Sequence, residues 1–195
     1  MKGDNMKNRS FIIICIITIL ASIISIYLSK SNKESNKSID KKSVVVYFSV
    51  TNNTEKIAER IARLSDSDII EIVPLEPYTD EDIDFTNTTN RAYKEQHNKQ
   101  DRPLISNEID VSKYNKIYLG YPIWWGTNPK IILTFIDQND LSNKEIIPFC
   151  TSGGTDIKTS VEELRRYKKG LNIKDGLRLS SSDTDNQIKY FIENY

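Results

Sequence analysis

The stretch VVVYFSVTNNTEKIAERIARL, residues 44–64, contains an apolar run, a polar loop and an amphipathic segment in direct succession. The run VVVYF is continuously apolar rather than alternating, which is typical of a parallel strand that is covered on both faces. In TEKIAERIARL the apolar residues fall on one helical face; they are Ile57, Ala58, Ile61, Ala62 and Leu64. This stretch therefore predicts a strand followed by a helix that packs against it.

The same alternation continues to the C-terminus. Further strands are predicted at residues 69–75, 116–121 and 145–150, and a weaker fifth strand within residues 171–179. Helix-start patterns occur between them, namely Asn128 before Pro129, Ser160 with Glu163, and Thr184 with Gln187. Residues 76–115 are too long for a bare loop, so a short helix is expected at about 88–96. The pattern predicts an α/β fold with a doubly wound, five-stranded parallel sheet.

The residues before Ser43 have a different composition. Residues 11–28, FIIICIITILASIISIYL, carry no charge and follow a basic tail, residues 1–10. This length predicts one N-terminal transmembrane helix; a cleaved secretory signal is the alternative, but no A-x-A-like site follows the run. Residues 29–42 are rich in Ser, Asn and Lys, which predicts a solvated tether to a domain at residues 43–195.

Two features of this segment predict opposite orientations of the anchor. Five lysines lie between the apolar run and Ser43, and three Lys or Arg residues precede the run. The side richer in Lys and Arg tends to stay in the cytoplasm, whereas a short basic tail before an apolar run is the arrangement of an export signal. We expect a single-pass cell-membrane protein with its domain facing outward, and the cytoplasmic face is the alternative.

Charge and cysteine content exclude several classes of function. Lys plus Arg and Asp plus Glu both number 27, and the part from Ser43 onward carries 19 basic and 24 acidic residues, so no positive excess indicates nucleic acid. Cys15 lies in the apolar run and Cys150 in the domain, which leaves no cysteine pair for a disulfide or a zinc site. His97 is the only histidine and no G-x-S-x-G motif is present, so no catalytic residue and no metal ligand is predicted.

Three loops follow predicted strands at their carboxyl ends, where open parallel sheets bind ligands. SVTNNT, residues 49–54, places hydroxyls and amides at a helix start without a lysine, which predicts a cation-free phosphate cradle; an ordinary helix cap is the alternative. YPIWWGTNP, residues 121–129, has adjacent tryptophans that cannot both point inward from an extended chain. CTSGGT, residues 150–155, has two glycines that allow close approach to a planar ligand. Together the three loops predict a site for flavin mononucleotide (FMN).

From about residue 43 to 195 the chain resembles the flavodoxin-like proteins, and in particular a bacterial subgroup with YPIWWG-type and CTSGG-type loops. SVTNNT matches the flavodoxin phosphate loop S-x-T-G-N-T with Asn52 in place of glycine, and Asn is the non-glycine residue that best tolerates positive φ. The resemblance implies strand order 2-1-3-4-5, with residues 175–180 in the last strand. It implies phosphate contacts from Ser49, Thr51, Asn53 and Thr54 around Asn52, ring contacts from Pro122, Ile123, Trp124, Trp125 and Gly126, and contacts with the other ring edge from Thr151, Ser152, Gly153 and Gly154.

The resemblance further implies an FMN-binding electron carrier that exchanges electrons with donor and acceptor proteins or with quinones. Trp124 is predicted to stack on the flavin, because P-I-W aligns with the flavodoxin P-T-W. One alternative is an FMN-dependent NAD(P)H:quinone oxidoreductase, which steady NAD(P)H oxidation with a quinone would reveal. Another is a partner-recognition module with or without flavin, and a colourless protein would indicate the flavin-free form.

Overall fold

The computed structural model describes residues 43–98 and 101–195, together with Ser22, Ile24 and Ser25, which are helical. The predicted anchor at residues 11–28 lies outside the described residues except at those three positions, and the predicted tether at 29–42 lies wholly outside them. Within the described part of the chain, no helix combines the length and the apolar character needed to cross a membrane.

Strands and helices alternate along the described domain, as the sequence predicts. The strands are β1 (Ser43–Tyr47), β2 (Asp68–Glu71), β3 (Lys116–Pro122), β4 (Glu145–Thr151), β5 (Asn172–Ile173) and β6 (Leu177–Arg178). The helices are α1 (Asn53–Ser65), α2 (Arg91–His97), α3 (Lys130–Gln138), α4 (Lys158–Tyr167) and α5 (Asp185–Glu193). A 3₁₀ helix, Glu81–Ile83, precedes α2 in the interval between β2 and β3.

All strand pairs are parallel and follow the order β2-β1-β3-β4-β5, with β6 also paired to β4. The predicted order 2-1-3-4-5 is confirmed. Successive residues of β1 point to opposite faces, so Val44 and Val46 join one apolar cluster, and Val45 and Tyr47 join the other. Helices α3 and α4 cover the first face and α1 and α5 the second. Because both faces are buried, β1 is apolar from Val44 to Tyr47.

The last strand differs from the prediction of a single segment. The structure has two short strands, β5 and β6, and from the pair Ile146–Ile173 to the pair Phe149–Leu177 the edge chain advances four residues while β4 advances three. The extra residue forms a bulge where β4 contains Pro148, which has no N–H for the strand ladder. The predicted five-stranded sheet therefore has six strands.

Two of the predicted helix starts lie at the N-termini of α3 and α5. Thr184 and Gln187 form the predicted capping box at the start of α5, with both reciprocal hydrogen bonds present. Helix α3 begins at Lys130 with Pro129 at the cap position, one residue later than predicted. Asn128 is therefore outside the helix, and it is fully buried.

The predicted capping box of Ser160 with Glu163 is wrong. Helix α4 begins at Lys158, so Ser160 lies inside the helix. Its buried hydroxyl donates to the hydroxyl of Tyr121, 39 residues away in the sequence, at 3.0 Å. Ser160 and Glu163 have the spacing of a capping box, but the contact with Tyr121 of β3 gives Ser160 a different structural role.

The interval between β2 and β3 contains the predicted short helix, shifted by a few residues. Helix α2 begins at Arg91, because the side chain of Asn90 accepts a hydrogen bond from the N–H of Tyr93 and caps the helix there. Strand β2 ends at Glu71, earlier than predicted, and just beyond it the N–H of Val73 donates to the side chain of Asn107 at 3.0 Å.

Candidate functional site

The three predicted loops meet at the carboxyl edge of the sheet and enclose a cleft of about 460 Å³. Eight of the residues predicted to bind the cofactor line this cleft: Thr51, Asn53, Pro122, Ile123, Trp124, Thr151, Ser152 and Gly153. The parallel order of β1, β3 and β4 accounts for their convergence, because adjacent parallel strands end at the same edge. Such a volume lies within the range of small-molecule sites.

Six predicted residues belong to the same loops but do not line the cleft: Ser49, Asn52, Thr54, Trp125, Gly126 and Gly154. Among them Thr54 has a clear structural role, because its buried hydroxyl lies 2.8 Å from the hydroxyl of Thr151. This hydrogen bond joins the first loop to the third.

The first loop has the backbone that the glycine of the flavodoxin motif would supply. Asn52 adopts φ 60° and ψ 6°, in the left-handed region, and its side chain does not cap α1. The amide of Asn53 donates to the hydroxyl of Thr51 at 3.0 Å. Because Asn52 does not cap α1, its side chain accepts no hydrogen bond from the first N–H groups of the helix. A helix start of this kind favours the binding of an anion.

The second loop reverses direction in a two-residue turn at Trp125 and Gly126, which have φ values of 44° and 84°. Trp124 and Thr127 close the turn with two backbone hydrogen bonds, of 2.9 and 3.1 Å. Two consecutive positive φ values match a type I′ turn, in which glycine is favoured. The turn sends the two tryptophans into different surroundings, as expected for adjacent residues.

Trp124 packs into the interior beside the cleft. Its side chain is 5% exposed, and its ring meets Phe48 and Tyr78 edge to face, with centroids 5.5 and 5.2 Å apart. Burial and then the hydrogen bond to Glu95 raise the pKa of Tyr78 above its ordinary value, so this hydroxyl stays protonated. Trp124 is thus held by two uncharged rings, and the guanidinium of Arg91 lies 4.2 Å from the centroid of the Tyr78 ring.

Trp125 packs against the interval between β2 and β3. Its ring lies 5.6 Å from that of Tyr93 on α2 and 5.8 Å from that of Phe85. From the same helix, Gln96 donates to the carbonyl of Trp124 at 2.9 Å and to that of Asn128 at 3.2 Å. The interval therefore supports the second loop.

A charged cluster holds the second loop from the other side. Thr127 and Lys130 both donate to the carboxylate of Glu163 on α4, the lysine at 2.9 Å. The Lys130 side chain is 9% exposed, so Glu163 supplies the counter-charge that a buried ammonium needs. The spacing of Ser160 and Glu163 did not reveal this role, since both partners of Glu163 lie more than thirty residues earlier in the chain.

Five further cleft residues were not predicted from the sequence: Ile83, Phe85, Leu179, Ser180 and Ser181. The first two come from the interval after β2 and the last three follow β6. No Lys, Arg, Asp, Glu or His lines the cleft among the described residues. A ligand there would meet hydroxyls, amides, backbone groups and apolar side chains.

Cys150 is the first residue of the third loop, and its buried thiol lacks the features of an activated nucleophile. Burial, and next the nearby charge of Asp156, raise the pKa of its thiol to about 12. The thiol is protonated at neutral pH, and only thiolates are reactive. In the described residues, no three His, Cys, Asp or Glu side chains cluster so that they could bind a metal ion.

A second groove, of about 720 Å³, lies on the interval after β2 and is lined in part by Arg91, Lys94, Arg102, Glu76 and Glu95. It is larger than the cleft at the strand ends but contains none of the three loops. The carboxyl edge of a parallel sheet is where ligands bind in this architecture. The smaller cleft is therefore the candidate site.

These features define a doubly wound α/β protein with a cleft at the carboxyl edge of its sheet, and the described residues that line this cleft carry no charge. Residues 42–195 match the sequence pattern of the Flavodoxin family. The chain therefore belongs to the flavodoxin family, and the resemblance drawn from its three loops is confirmed at the level of the family.

Solved structures agree with this assignment. A candidate flavoprotein from Bacteroides eggerthii DSM 20697 is 35% identical, with a TM-score of 0.76 and coverage of 80% of this chain and 98% of that one. A flavoprotein from Lactobacillus acidophilus NCFM, solved in complex with FMN, is 29% identical, with a TM-score of 0.62 and coverage of 78% and 99%. Comparison with curated protein sequences yields no match.

Proposed function

We propose that the domain binds FMN in the strand-end cleft and acts as an electron-transfer protein. The observation that carries the proposal is the convergence of the three loops on one cleft without a charged side chain among its described lining residues. The chain belongs to the flavodoxin family, and a relative of similar fold was solved with FMN. When bound, FMN supplies a ring system that accepts and releases one or two electrons.

The first loop suits a phosphate group. Thr51 and Asn53 line the cleft next to the start of α1, whose helix dipole favours negative charge. Hydroxyls and backbone N–H groups can hold a phosphate there without a lysine, as at other helix starts. A single phosphate loop favours FMN over a dinucleotide such as FAD.

The remaining walls suit a flat ring. Pro122 supplies apolar surface together with the small exposed parts of Ile123 and Trp124. Gly153 has no atom within 4 Å of where a Cβ would lie, so the backbone there is open to close approach. Apolar walls and a net charge of −5 from Ser43 onward disfavour additional negative charge in the cleft. Both features shift the reduction potential of the site in the negative direction.

Release of the ligand by heat tests the proposal. Protein purified without added flavin is denatured, and the supernatant is compared with FMN, FAD and riboflavin standards. We expect FMN alone. FAD in the supernatant, or no uptake of flavin after reconstitution with excess FMN, contradicts the proposal. Steady NAD(P)H oxidation in the presence of a quinone would identify a quinone reductase instead of a carrier.

Alanine variants of the two tryptophans test their roles at the ring. Trp124 lines the cleft, so Trp124→Ala is expected to weaken FMN binding by about 1 kcal/mol or more, the contribution of one aromatic pair beyond burial. Trp125 does not line the cleft and reaches it only through its contact with Phe85, so Trp125→Ala should have the smaller effect. Flavin fluorescence quenching measures both. If FMN affinity and fluorescence quenching are unchanged in both variants, neither tryptophan contacts the flavin and both have structural roles only.

We also propose that residues 11–28 anchor the protein in the cell membrane, with the domain on the outer face. The support is the eighteen-residue uncharged run after a short basic tail. A tethered carrier would exchange electrons with proteins or quinones at the membrane surface.

A further inference from the structure

Phe85 is an exposed aromatic residue in the wall of the cleft. Its side chain is 67% exposed, the same fraction as Tyr190, which lines a different groove beside α5. Single exposed apolar residues are common on proteins and carry no meaning by themselves. Phe85 differs because it lines the same cleft as Thr51, Trp124 and Gly153.

The backbone on both sides of Phe85 is held by hydrogen bonds. On the N-terminal side, the carboxylate of Asp82 accepts the N–H of Thr79 at 2.9 Å, and Ile83 packs against the main apolar cluster. On the C-terminal side, the carboxylate of Asp84 accepts the N–H of Thr86 at 2.8 Å. The amide of Asn90 also donates to the carbonyl of Asp84 at 2.7 Å. These bonds hold the backbone on both sides of Phe85, whose ring lines the cleft.

The ring of Trp125 packs against the ring of Phe85. The rings of Phe85 and Trp125 are 5.8 Å apart at 58°, and Trp125 meets Tyr93 at 5.6 Å. Trp125 adopts a φ of 44°, a conformation that costs energy for a residue with a side chain. The turn therefore places Trp125 against the interval after β2, where it is the support for Phe85.

We propose that Phe85 is a cofactor-binding residue that packs on the ring system of the flavin, so that the interval between β2 and β3 supplies a fourth wall of the site. The proposal rests on FMN binding as proposed above. The occupant is identified by chemistry, because a flat aromatic ring bound beside Trp124, Ile123 and Pro122 would cover the apolar surface that Phe85 now exposes to water.

The proposal predicts that Phe85 matters for the bound state and not for folding. In the flavin-free protein its ring is mostly in water, so its removal exposes little new apolar surface. In the complex the same ring would be buried against the flavin. Phe85→Ala is expected to weaken FMN binding on the order of tenfold, which corresponds to about 1.4 kcal/mol.

The experiment uses the full-length chain, stripped of flavin, with three variants. Phe85→Ala removes the ring, Phe85→Trp keeps an aromatic surface, and Tyr190→Ala removes an equally exposed ring outside the site. FMN and riboflavin are titrated with each protein while flavin fluorescence is followed, and urea unfolding of each flavin-free protein measures folding. We expect Phe85→Ala to lose the same factor for both ligands, because the ring contact is independent of the phosphate. Phe85→Trp and Tyr190→Ala should bind like the wild type.

The outcomes separate this proposal from the one on which it rests. A wild-type protein that takes up no FMN overturns the proposed function and this assignment together. A wild-type protein that binds FMN, with Phe85→Ala binding equally well, overturns only the role of Phe85. A lower urea midpoint for flavin-free Phe85→Ala also overturns it, since the ring would then serve the fold.

Discussion

Two asparagines in the domain adopt the same positive φ at opposite ends of the sheet. Asn52 in the first loop and Asn143 before β4 both adopt a φ of 60°. Both are exposed, so no burial of the side chain explains the choice of residue. Asparagine tolerates the left-handed region better than other residues with a side chain, and only glycine adopts it more easily.

Alanine at either position is expected to lower the free energy of unfolding by about 1 kcal/mol, because its Cβ is strained at positive φ. Only Asn52→Ala should also weaken FMN binding, since it alone shapes the loop before α1. Asn52→Gly should leave both properties close to those of the wild type. Urea unfolding and FMN titration measure the two effects. Loss of FMN affinity in Asn143→Ala as well would mean that the effect is not local to the loop.

Cys150 is expected to make the free energy of unfolding depend on pH in the alkaline range. Burial is the main cause that raises its pKa from 9.0 to about 12 in the folded protein. Because the pKa is higher in the folded state, the unfolded thiol loses its proton at a lower pH than the folded one. The contribution of Cys150 to stability is therefore complete below pH 9 and is lost as the pH rises towards 12. At pH 10.5 the loss relative to pH 8 is about 1–2 kcal/mol, at 1.36 kcal/mol per pH unit.

The Cys150→Ala variant removes this contribution, and Tyr118, whose pKa is raised by its own burial and by Glu145, acts equally in both proteins. Tyr121 differs slightly, because Cys150 adds to the burial that raises its pKa. The difference in unfolding free energy between wild type and variant should decrease from pH 8 to pH 10.5. Folded wild-type protein should also resist alkylation at Cys150 at pH 8, as measured by peptide mass. A difference that stays constant with pH would show that the thiol titrates normally.

At the scale of elements, the contact between β3 and β4 depends on a glycine. Gly120 is paired with Phe149, and a Cβ at Gly120 would lie 2.2 Å from Cζ of that ring. The ring of Phe149 thus occupies the space above the strand where a side chain would be. Gly153 in the third loop is the opposite case, with open space around the Cβ position.

Gly120→Ala is expected to cost about 1–3 kcal/mol of stability, because a methyl group there overpacks the core. Gly153→Ala should change stability by less than about 0.5 kcal/mol, as for most surface substitutions. It should nevertheless weaken FMN binding, since Gly153 lines the cleft. Thermal unfolding and FMN titration provide the comparison, and Phe149→Leu should partly rescue Gly120→Ala. Equal stability of the two glycine variants would contradict this account of the strand contact.

At the scale of the whole molecule, protease treatment tests the proposed orientation. Protease added to intact, wall-stripped cells should cleave the predicted tether at residues 29–42 and release a folded domain, because an outward domain is accessible. A cytoplasmic marker protein in the same cells should stay intact. A domain that survives until lysis would instead mean that the lysines after the apolar run keep it inside, with access to cytoplasmic nicotinamide.

Local pattern was sufficient for much of this protein. Residues 44–64 predicted β1 and α1 because an apolar run and a helical stripe are each encoded over a few residues. The motif loops were recognisable for the same reason, since a strand, a turn and a helix start are contiguous in the sequence. The strand order came from the resemblance to flavodoxins and is confirmed by the sheet.

What the tertiary structure alone decided depends on contacts between distant residues. Phe85 entered the cleft wall from an irregular interval, Glu163 became the partner of Thr127 and Lys130, and the last strand divided opposite Pro148. No local period marks any of these, because each depends on which segment the sheet order places alongside. The sequence by itself therefore determined the class of fold and the three motif loops, whereas three-dimensional packing decided which further side chains complete the site.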